Sequence, residues 1–397
     1  MPDFHARQQA FLAACDEDGV DAILVCSIGV CLGLNGTAQG HTTFLSGWNA
    51  YDSPSVLVIR KDRKPWLLVA SHRMKMMALA NLIGVDVDWA DQTRFGPRIL
   101  EEVAGSANTR PQRIGICGWE DMLAKPWQTI ERAFAGSELI DVAARLTPLR
   151  AVKDAEQIAV HRRVAAVCDE MFARLQETKV VGRHTYEIKA DLEAHARRRG
   201  CDFVQHWMTT GQSPDYPRYY HHENRQIVQP GDTLLYGMMM TIDGIWSHAV
   251  RFFYAGEPEP WRLKAQDAVI AYQKRFVERM RPGQDLVRLV ADALAECAEL
   301  ERSFPPGPVQ MLRLGHGMGC SYAEPGLSDP FPRSFYAVEG ELQRSSGMIL
   351  QPGMLFEIHP MFLFSGGAAG VGDIVLVGDG GAEPLTTTAR ELFGLPG

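Results

Sequence analysis

The chain has 397 residues, enough for two domains of ordinary size. Its net charge of −8 comes from both signs interspersed, with no basic block of the kind that neutralises phosphates, which argues against nucleic acid as a partner. Apolar residues make up 46% of the chain, ample for ordinary cores, yet no apolar run approaches the length of a membrane span.

His5–Gly19 reads as an amphipathic helix closed by Gly19, and Met1–Asp18 carries no signal-peptide core. Ala22–Cys26 reads as a buried strand, followed by β-rich runs at Ser55–Ile59, Trp66–Val69, Val85–Trp89 and Arg113–Cys117, with a helix at Arg73–Leu82. His41 falls in a stretch read as a turn. These elements predict an α/β domain over residues 1–149. Residues 150–397 follow a different plan. Helices are expected at Asp154–Thr178, Tyr186–Arg199 and Arg262–Met280. Strands are expected at Val204–Met208, Thr233–Met240, Trp246–Tyr254, Met354–His359 and Asp373–Val377, which makes the second domain α+β. The 8 cysteines stand singly, without a CxxC pair, and are expected as reduced, buried thiols in a cytoplasmic protein.

Six segments of the second domain, read in order, carry a family resemblance. They are Arg150-Ala-Val-Lys153-Asp-Ala-Glu156, Gln229-Pro-Gly231-Asp232, Ser247-His-Ala-Val-Arg251-Phe-Phe, Gly315-His316-Gly-Met-Gly319, Gly353-Met-Leu-Phe-Glu-Ile-His359-Pro360 and Gly372-Asp373-Ile-Val-Leu-Val. In the first domain Phe44-Leu-Ser-Gly47-Trp48 fits as well. Together they resemble the creatinase/prolidase/methionine-aminopeptidase family, of the two-domain creatinase/prolidase type. The resemblance implies a pita-bread C-terminal domain behind an α/β N-terminal domain, a small-molecule substrate, and a homodimer in which His41 could reach a neighbour's pocket.

The same resemblance implies two metal cations held by Asp, Asp, His, Glu and Glu. Counted onto this chain, those places hold Gly237, His248, His316, His359 and Gly372. Ala323 stands where the family has a further histidine. A dinuclear site needs bridging carboxylates to offset the charge of two close cations, and these positions supply none. His248, His316 and His359 are therefore expected to hold one transition-metal ion, with Zn²⁺, Fe²⁺, Ni²⁺ or Cu²⁺ all suited to imidazole. The alternative is a metal-free, creatinase-like site in which His316 and His221 move protons themselves.

Other candidates surround that group. His221 corresponds to the family's substrate-facing histidine and is the expected acid/base, with Tyr220 and His222 beside it as substrate contacts. Glu357 lies two residues before His359, on the same strand face, either as a general base or as the acceptor that orients His359. Trp207, Tyr219, Tyr220, Met238, Met239, Met240 and Trp246 crowd the same strands and are expected mostly as core; Trp246 shares the face of His248 and Met238 that of Met240, so some of them could wall the pocket, Trp246 first as a substrate contact. Arg251 is kept among the substrate contacts, although alternation turns it away from His248, toward a structural ion pair. Asp373 follows the lost glutamate and should point to the opposite face.

The expected activity is hydrolysis of a C–N bond in a small polar nitrogen compound such as an amidine, lactam or modified amino acid. The alternatives are a metal-assisted lyase acting on a cationic or zwitterionic osmolyte, and a pita-bread binding module without catalysis.

Overall fold

The computed structural model describes residues 2–28, 38–49, 53–105, 109–211, 226–307, 309–311, 314–322, 324 and 348–396. The chain separates into two compact units, Met1–Arg150 and Ala151–Gly397.

The first unit runs α1 (Phe4–Ala14), β1 (Ala22–Ser27), α2 (Ala38–Ser46), β2 (Ser55–Arg60), β3 (Arg63–Val69), α3 (His72–Asn81), β4 (Asp86–Trp89), α4 (Phe95–Ala104), β5 (Arg113–Cys117), α5 (Ala124–Ala133) and β6 (Glu138–Asp141), with α6 (Ala143–Ala151) at its end. Its six strands form one mixed sheet in the order β4-β3-β2-β1-β5-β6. Leu24, Val56, Val58 and Leu68 on that sheet pack with Phe95 and Ile99 of α4 and Ile130 of α5. The first helix stops earlier than its pattern suggests. It ends at Ala14, a short 3₁₀ turn follows, and Gly19 at φ 62 supplies the left-handed residue that redirects the chain. His41 lies inside α2 rather than in a turn, buried, with its Nδ1 2.6 Å from Nη1 of Arg150.

The second unit opens with α7 (Ala155–Glu177) and α8 (Thr185–Arg198), then β7 (Phe203–Gly211), β8 (Thr233–Ile242) and β9 (Ile245–Ala255). Asp154 caps α7 through Gln157 in a capping box, worth about 1 kcal/mol to the helix. Next come α9 (Pro260–Arg279), α10 (Leu286–Leu300), β10 (Val309–Met311), β11 (Gly315–Gly317), β12 (Leu355–Ile358), β13 (Met361–Phe364), β14 (Gly367–Gly370), β15 (Asp373–Gly378), β16 (Gly381–Pro384) and β17 (Phe393–Leu395). The strands form three sheets, ordered β17-β9-β8-β7, β11-β12-β15-β16 and β10-β13-β14.

The strands β8 and β9 are buried along their whole length, on both faces. One face carries Met238, Met240, Ala249 and Phe253 into a core with Val164, Cys168, Met171 and Phe172 of α7. Met238 and Met240 are therefore core residues, not pocket wall. The opposite face carries His248. The first and second sheets meet where Val250 and Gly372 exchange backbone hydrogen bonds of 3.1 and 2.9 Å. Cys15, Cys26, Cys117, Cys168, Cys201 and Cys320 are buried thiols outside any disulfide and Cys297 is half-buried, while Cys31 lies outside the described residues.

Candidate metal centre

Three strand segments deliver the site. His248 sits on β9 opposite Met239. His316 is the middle residue of β11 and pairs directly with Glu357 on β12, so the two side chains share a face. His359 follows β12 two residues beyond Glu357 and returns to that face by alternation. The register of a short antiparallel ladder thus sets an imidazole against a carboxylate.

Glu357 is the centre of the arrangement. Its Oε2 lies 3.1 Å from His316 Nε2 and 3.6 Å from His359 Nε2, and it contacts His248 Nδ1 directly. His248, His316 and Glu357 are wholly buried and His359 is 2% exposed. One ligand atom from each of the four lies within 4.8 Å of the others, and no second such group occurs among the described residues. The Nδ1 of His316 is 2.8 Å from the Gly317 carbonyl oxygen. Donation to that carbonyl leaves the Nε2 lone pair facing Glu357, the tautomer that metal ligation needs. Three imidazoles and a carboxylate converging in a dry interior form a donor set that suits one divalent transition-metal ion. The expected three-histidine site is corrected to a four-residue one, because the cross-strand partner of His316 brings its carboxylate into the middle.

The two glycines beside the cluster are closed positions. A Cβ on Gly372 would lie 2.8 Å from Glu357 Oε1, 2.9 Å from Val250 Cβ and 3.0 Å from His359 Cβ. A Cβ on Gly237 would lie 3.2 Å from both His248 Nε2 and Val250 Cγ2. Glu357 and the His248 ring fill the space that side chains at these places would claim.

Aromatic rings wall the cluster. Trp207 meets His248 edge to face at 4.8 Å between centroids, across the gap that Gly237 leaves on the strand between them. Tyr322 lies 4.8 Å from the His316 ring and 5.4 Å from the His248 ring, with its hydroxyl 3.1 Å from His248 Nδ1. Trp246, expected as the wall, is one layer out. It packs on Phe203 at 5.4 Å and on Tyr322 at 6.3 Å, because it sits toward the hairpin end of β9. Trp207 had a sequence signal in its alternation on the β7 strand; Tyr322 had none beyond following the Gly315–Gly319 loop.

Arg251 does not face a substrate. Its guanidinium is buried and donates to Asp373 at 2.7 Å and to the carbonyls of Val250, Gly372, Thr388 and Ala389. Alternation sends it to the face opposite His248, so the substrate-contact expectation is corrected to an internal ion pair. Asp373 receives Arg251, Arg390 and the Thr386 hydroxyl. Burial pushes its carboxyl up, but the two arginines and these hydrogen bonds prevail and hold it below the ordinary value. Tyr219, Tyr220, His221 and His222 lie outside the described residues.

The Creatinase/Prolidase N-terminal domain model matches residues 7–152, and the metallopeptidase family M24 model matches residues 159–379. The chain belongs to metallopeptidase family M24. A probable dipeptidase PepE of Mycobacterium tuberculosis is 29% identical over 257 residues, covering 63% of this chain and 62% of that protein. The Xaa-Pro dipeptidase of Pyrococcus furiosus is 24% identical over 248 residues, 62% of this chain and 66% of its own. Creatinase of a Bacillus species is 23% identical over 273 residues, 65% of this chain and 62% of its own. The chain thus spans a little under two thirds of the first of these relatives. The crystal structure of a prolidase from Thermococcus sibiricus superposes with a TM-score of 0.78 at 20% identity over the full length of both chains, a likeness of fold. The M24 architecture, an α/β N-terminal domain followed by an α+β pita-bread domain, is the one the motifs implied. Within it the residues that could hold a metal ion are a His/Glu cluster, His248, His316, Glu357 and His359.

Proposed function

We propose that this chain is a C–N bond hydrolase acting on a small polar nitrogen compound, with one divalent transition-metal ion on His248, His316, Glu357 and His359. The observation that carries this reading is the single carboxylate set among three imidazoles, flanked by glycines that neighbours have closed off. Four carboxylates can offset two divalent cations; one carboxylate among neutral imidazoles suits one cation. Such an ion, when bound, supplies Lewis acidity and makes water acidic enough to be a nucleophile near neutral pH. The chain's own groups do the rest. The Gly317 carbonyl fixes the His316 ring, Glu357 neutralises the site, and Trp207 and Tyr322 keep bulk water from the imidazoles. Glu357, engaged with three rings, serves as a ligand, and the acid/base role falls to His221, as the family resemblance implies.

The names of the relatives favour a second reading, cleavage of an Xaa-Pro dipeptide. The loss of the carboxylate positions favours the non-peptide substrate. Metal analysis of untagged protein, followed by a panel of Xaa-Pro dipeptides, lactams, amidines and N-modified amino acids in ¹⁸O-labelled water, tests both. One Zn, Fe, Ni or Cu per chain with ¹⁸O in the product is the expected result. Dipeptide turnover alone selects the second reading. An unsaturated product without ¹⁸O overturns hydrolysis in favour of elimination. Full activity in a strong chelator with less than about a tenth of an equivalent of metal overturns the metal centre and restores the metal-free mechanism. His221→Ala should lower turnover by roughly 10²–10⁴-fold with stability unchanged. A homodimer is part of the reading, and light scattering that shows a monomer at micromolar concentration removes it.

A further inference from the structure

The first of the six motif segments supplies no residue to the His/Glu cluster, yet Lys153 within it reaches the loop that delivers His316. Lys153 is buried, and its Nζ lies 2.7 Å from Oε2 of Glu324, which is buried as well. An ion pair in a dry interior roughly breaks even against apolar residues of the same size, because both charges give up water. Such a pair contributes placement where each partner leads to something that must be placed. Both partners do so here.

Glu324 leads to His316. Its N–H donates to the Gly317 carbonyl at 2.8 Å, and its own carbonyl accepts from the Gly317 N–H at 3.1 Å. The same Gly317 carbonyl accepts from His316 Nδ1 at 2.8 Å, so the oxygen that fixes the imidazole is itself held by Glu324. Gly319 makes room for this arrangement, since a Cβ there would stand 2.7 Å from Glu324 Oε1 and 2.9 Å from Oε2. Lys153 leads to Glu357. Its N–H donates to the Gly353 carbonyl at 2.9 Å, and Val152 bridges Met354, immediately before β12. His316 faces Glu357 through a ladder to which β11 contributes three residues. A slip of one residue would turn every side chain to the other face, and so short a strand has few hydrogen bonds to resist it.

We propose that Lys153 is a positioning residue for His316. Its backbone holds the approach to β12, its ammonium holds Glu324, and together they fix the register and the ring orientation that set His316 against Glu357. Without the ammonium, the buried Glu324 carboxylate loses this counter-charge and shifts toward water, drawing its N–H away from the Gly317 carbonyl. His316 Nδ1–H then has no fixed acceptor, and the ring is free to turn. The inference rests on the metal centre proposed above for its Zn²⁺ readout alone; the hydrogen bonds that hold the ring stand without an ion.

The test compares wild-type, Lys153→Met and Leu289→Ala protein. Lys153→Met keeps an unbranched side chain and removes the ammonium. Leu289→Ala takes buried bulk from α10, which carries none of the motif segments, and so loosens the same unit by another route. The first readout is the His316 Nδ1–H signal in ¹⁵N-histidine spectra of metal-free protein, assigned by its loss in His316→Gln. It should exchange slowly in wild type and Leu289→Ala, and roughly tenfold or more faster in Lys153→Met. The second is Zn²⁺ titrated against a competing chelator. Lys153→Met should bind it about 10–100-fold more weakly, the usual effect of disturbing a ligand's support, and Leu289→Ala within about twofold of wild type. Wild-type exchange or wild-type Zn²⁺ affinity in folded Lys153→Met overturns the proposal, as does a Leu289→Ala protein that loses both equally. Should Lys153→Met not fold, Lys153→Met/Glu324→Gln removes both charges together and decides by the same readouts. A wild-type protein that binds no Zn²⁺ sinks the metal centre, and the Nδ1–H exchange then decides on Lys153 by itself.

Discussion

Gly372→Ala adds one methyl group beside the cluster, and the structure gives its cost. Gly372 is not among the glycines with a left-handed φ, so alanine meets no backbone strain there. The methyl carbon would stand 2.8–3.0 Å from Glu357 Oε1, Val250 Cβ and His359 Cβ, several tenths of an ångström inside ordinary contact with each. The backbone cannot retreat, because Gly372 exchanges two hydrogen bonds with Val250 and its carbonyl accepts a third from Arg251 at 2.7 Å. Glu357 and His359 must yield instead. Overpacking of this kind costs about 1–3 kcal/mol, and disturbing the support of a metal ligand costs about 10–100-fold in metal affinity. Gly237→Ala, with both nearest contacts at 3.2 Å, should show a milder form of both effects, and Gly380→Ala, with open space around it, neither. Urea unfolding and Zn²⁺ titration of the three variants form the assay. A Gly372→Ala protein with wild-type midpoint and wild-type Zn²⁺ affinity would refute the crowded cluster.

Two buried histidines predict acid sensitivity. Burial, aided by Lys153 in one case and by Lys189 and Arg197 in the other, lowers His161 and His206 from 6.5 to about 3. Between those values the unfolded chain binds protons that the folded chain refuses. The stability they give is thus whole above pH 6.5 and falls as pH drops toward 3, by up to roughly 1.4 kcal/mol per pH unit for each histidine. Urea midpoints measured from pH 8 to pH 5 should decline below about 6.5, and a flat profile would contradict the assignment. Asp373→Asn leaves the buried Arg251 without its carboxylate and should destabilise by about 3 kcal/mol, near the lower end for a broken buried pair because four carbonyls still accept from the guanidinium. Equilibrium unfolding checks it, and a loss under about 1 kcal/mol would assign the work to those carbonyls.

Strands were the most legible part of the fold, since alternation and turn residues bound them; Arg113–Cys117 is found as read. Helices whose polar and apolar residues mix with turn formers were missed. α2 hides in Gly-Thr-Ser-rich sequence around His41, and α4 and α5 carry Pro97 and Pro126 near their starts, whereas α10 holds no Gly, Pro, Ser or Thr and its apolar periodicity went unread. At the site, three histidine positions followed from motif order, and the facing of Arg251 and Asp373 followed from alternation. The central place of Glu357 did not, because it depends on the β11–β12 register, which no local pattern encodes. Trp207 was legible as one of the aromatic residues crowding these strands, but that it reaches His248 across Gly237 depends on the β7–β8–β9 register, and Tyr322 carried no local pattern at all.

The sheet carrying His248 and the sheet carrying His316 and Glu357 share one isolated backbone pairing, Val250 with Gly372, among the described residues. The cluster lies along that seam. An ion taken up there acts as a rivet, so part of its binding energy becomes resistance to separation of the sheets. At a free ion concentration 100 times Kd, that contribution is about 2.7 kcal/mol. Loss of the ion then registers first as faster hydrogen exchange in β11 and β12, in molecules whose overall fold is unchanged. On the proposed metal centre, occupancy of the seam and its mechanical integrity would be one property.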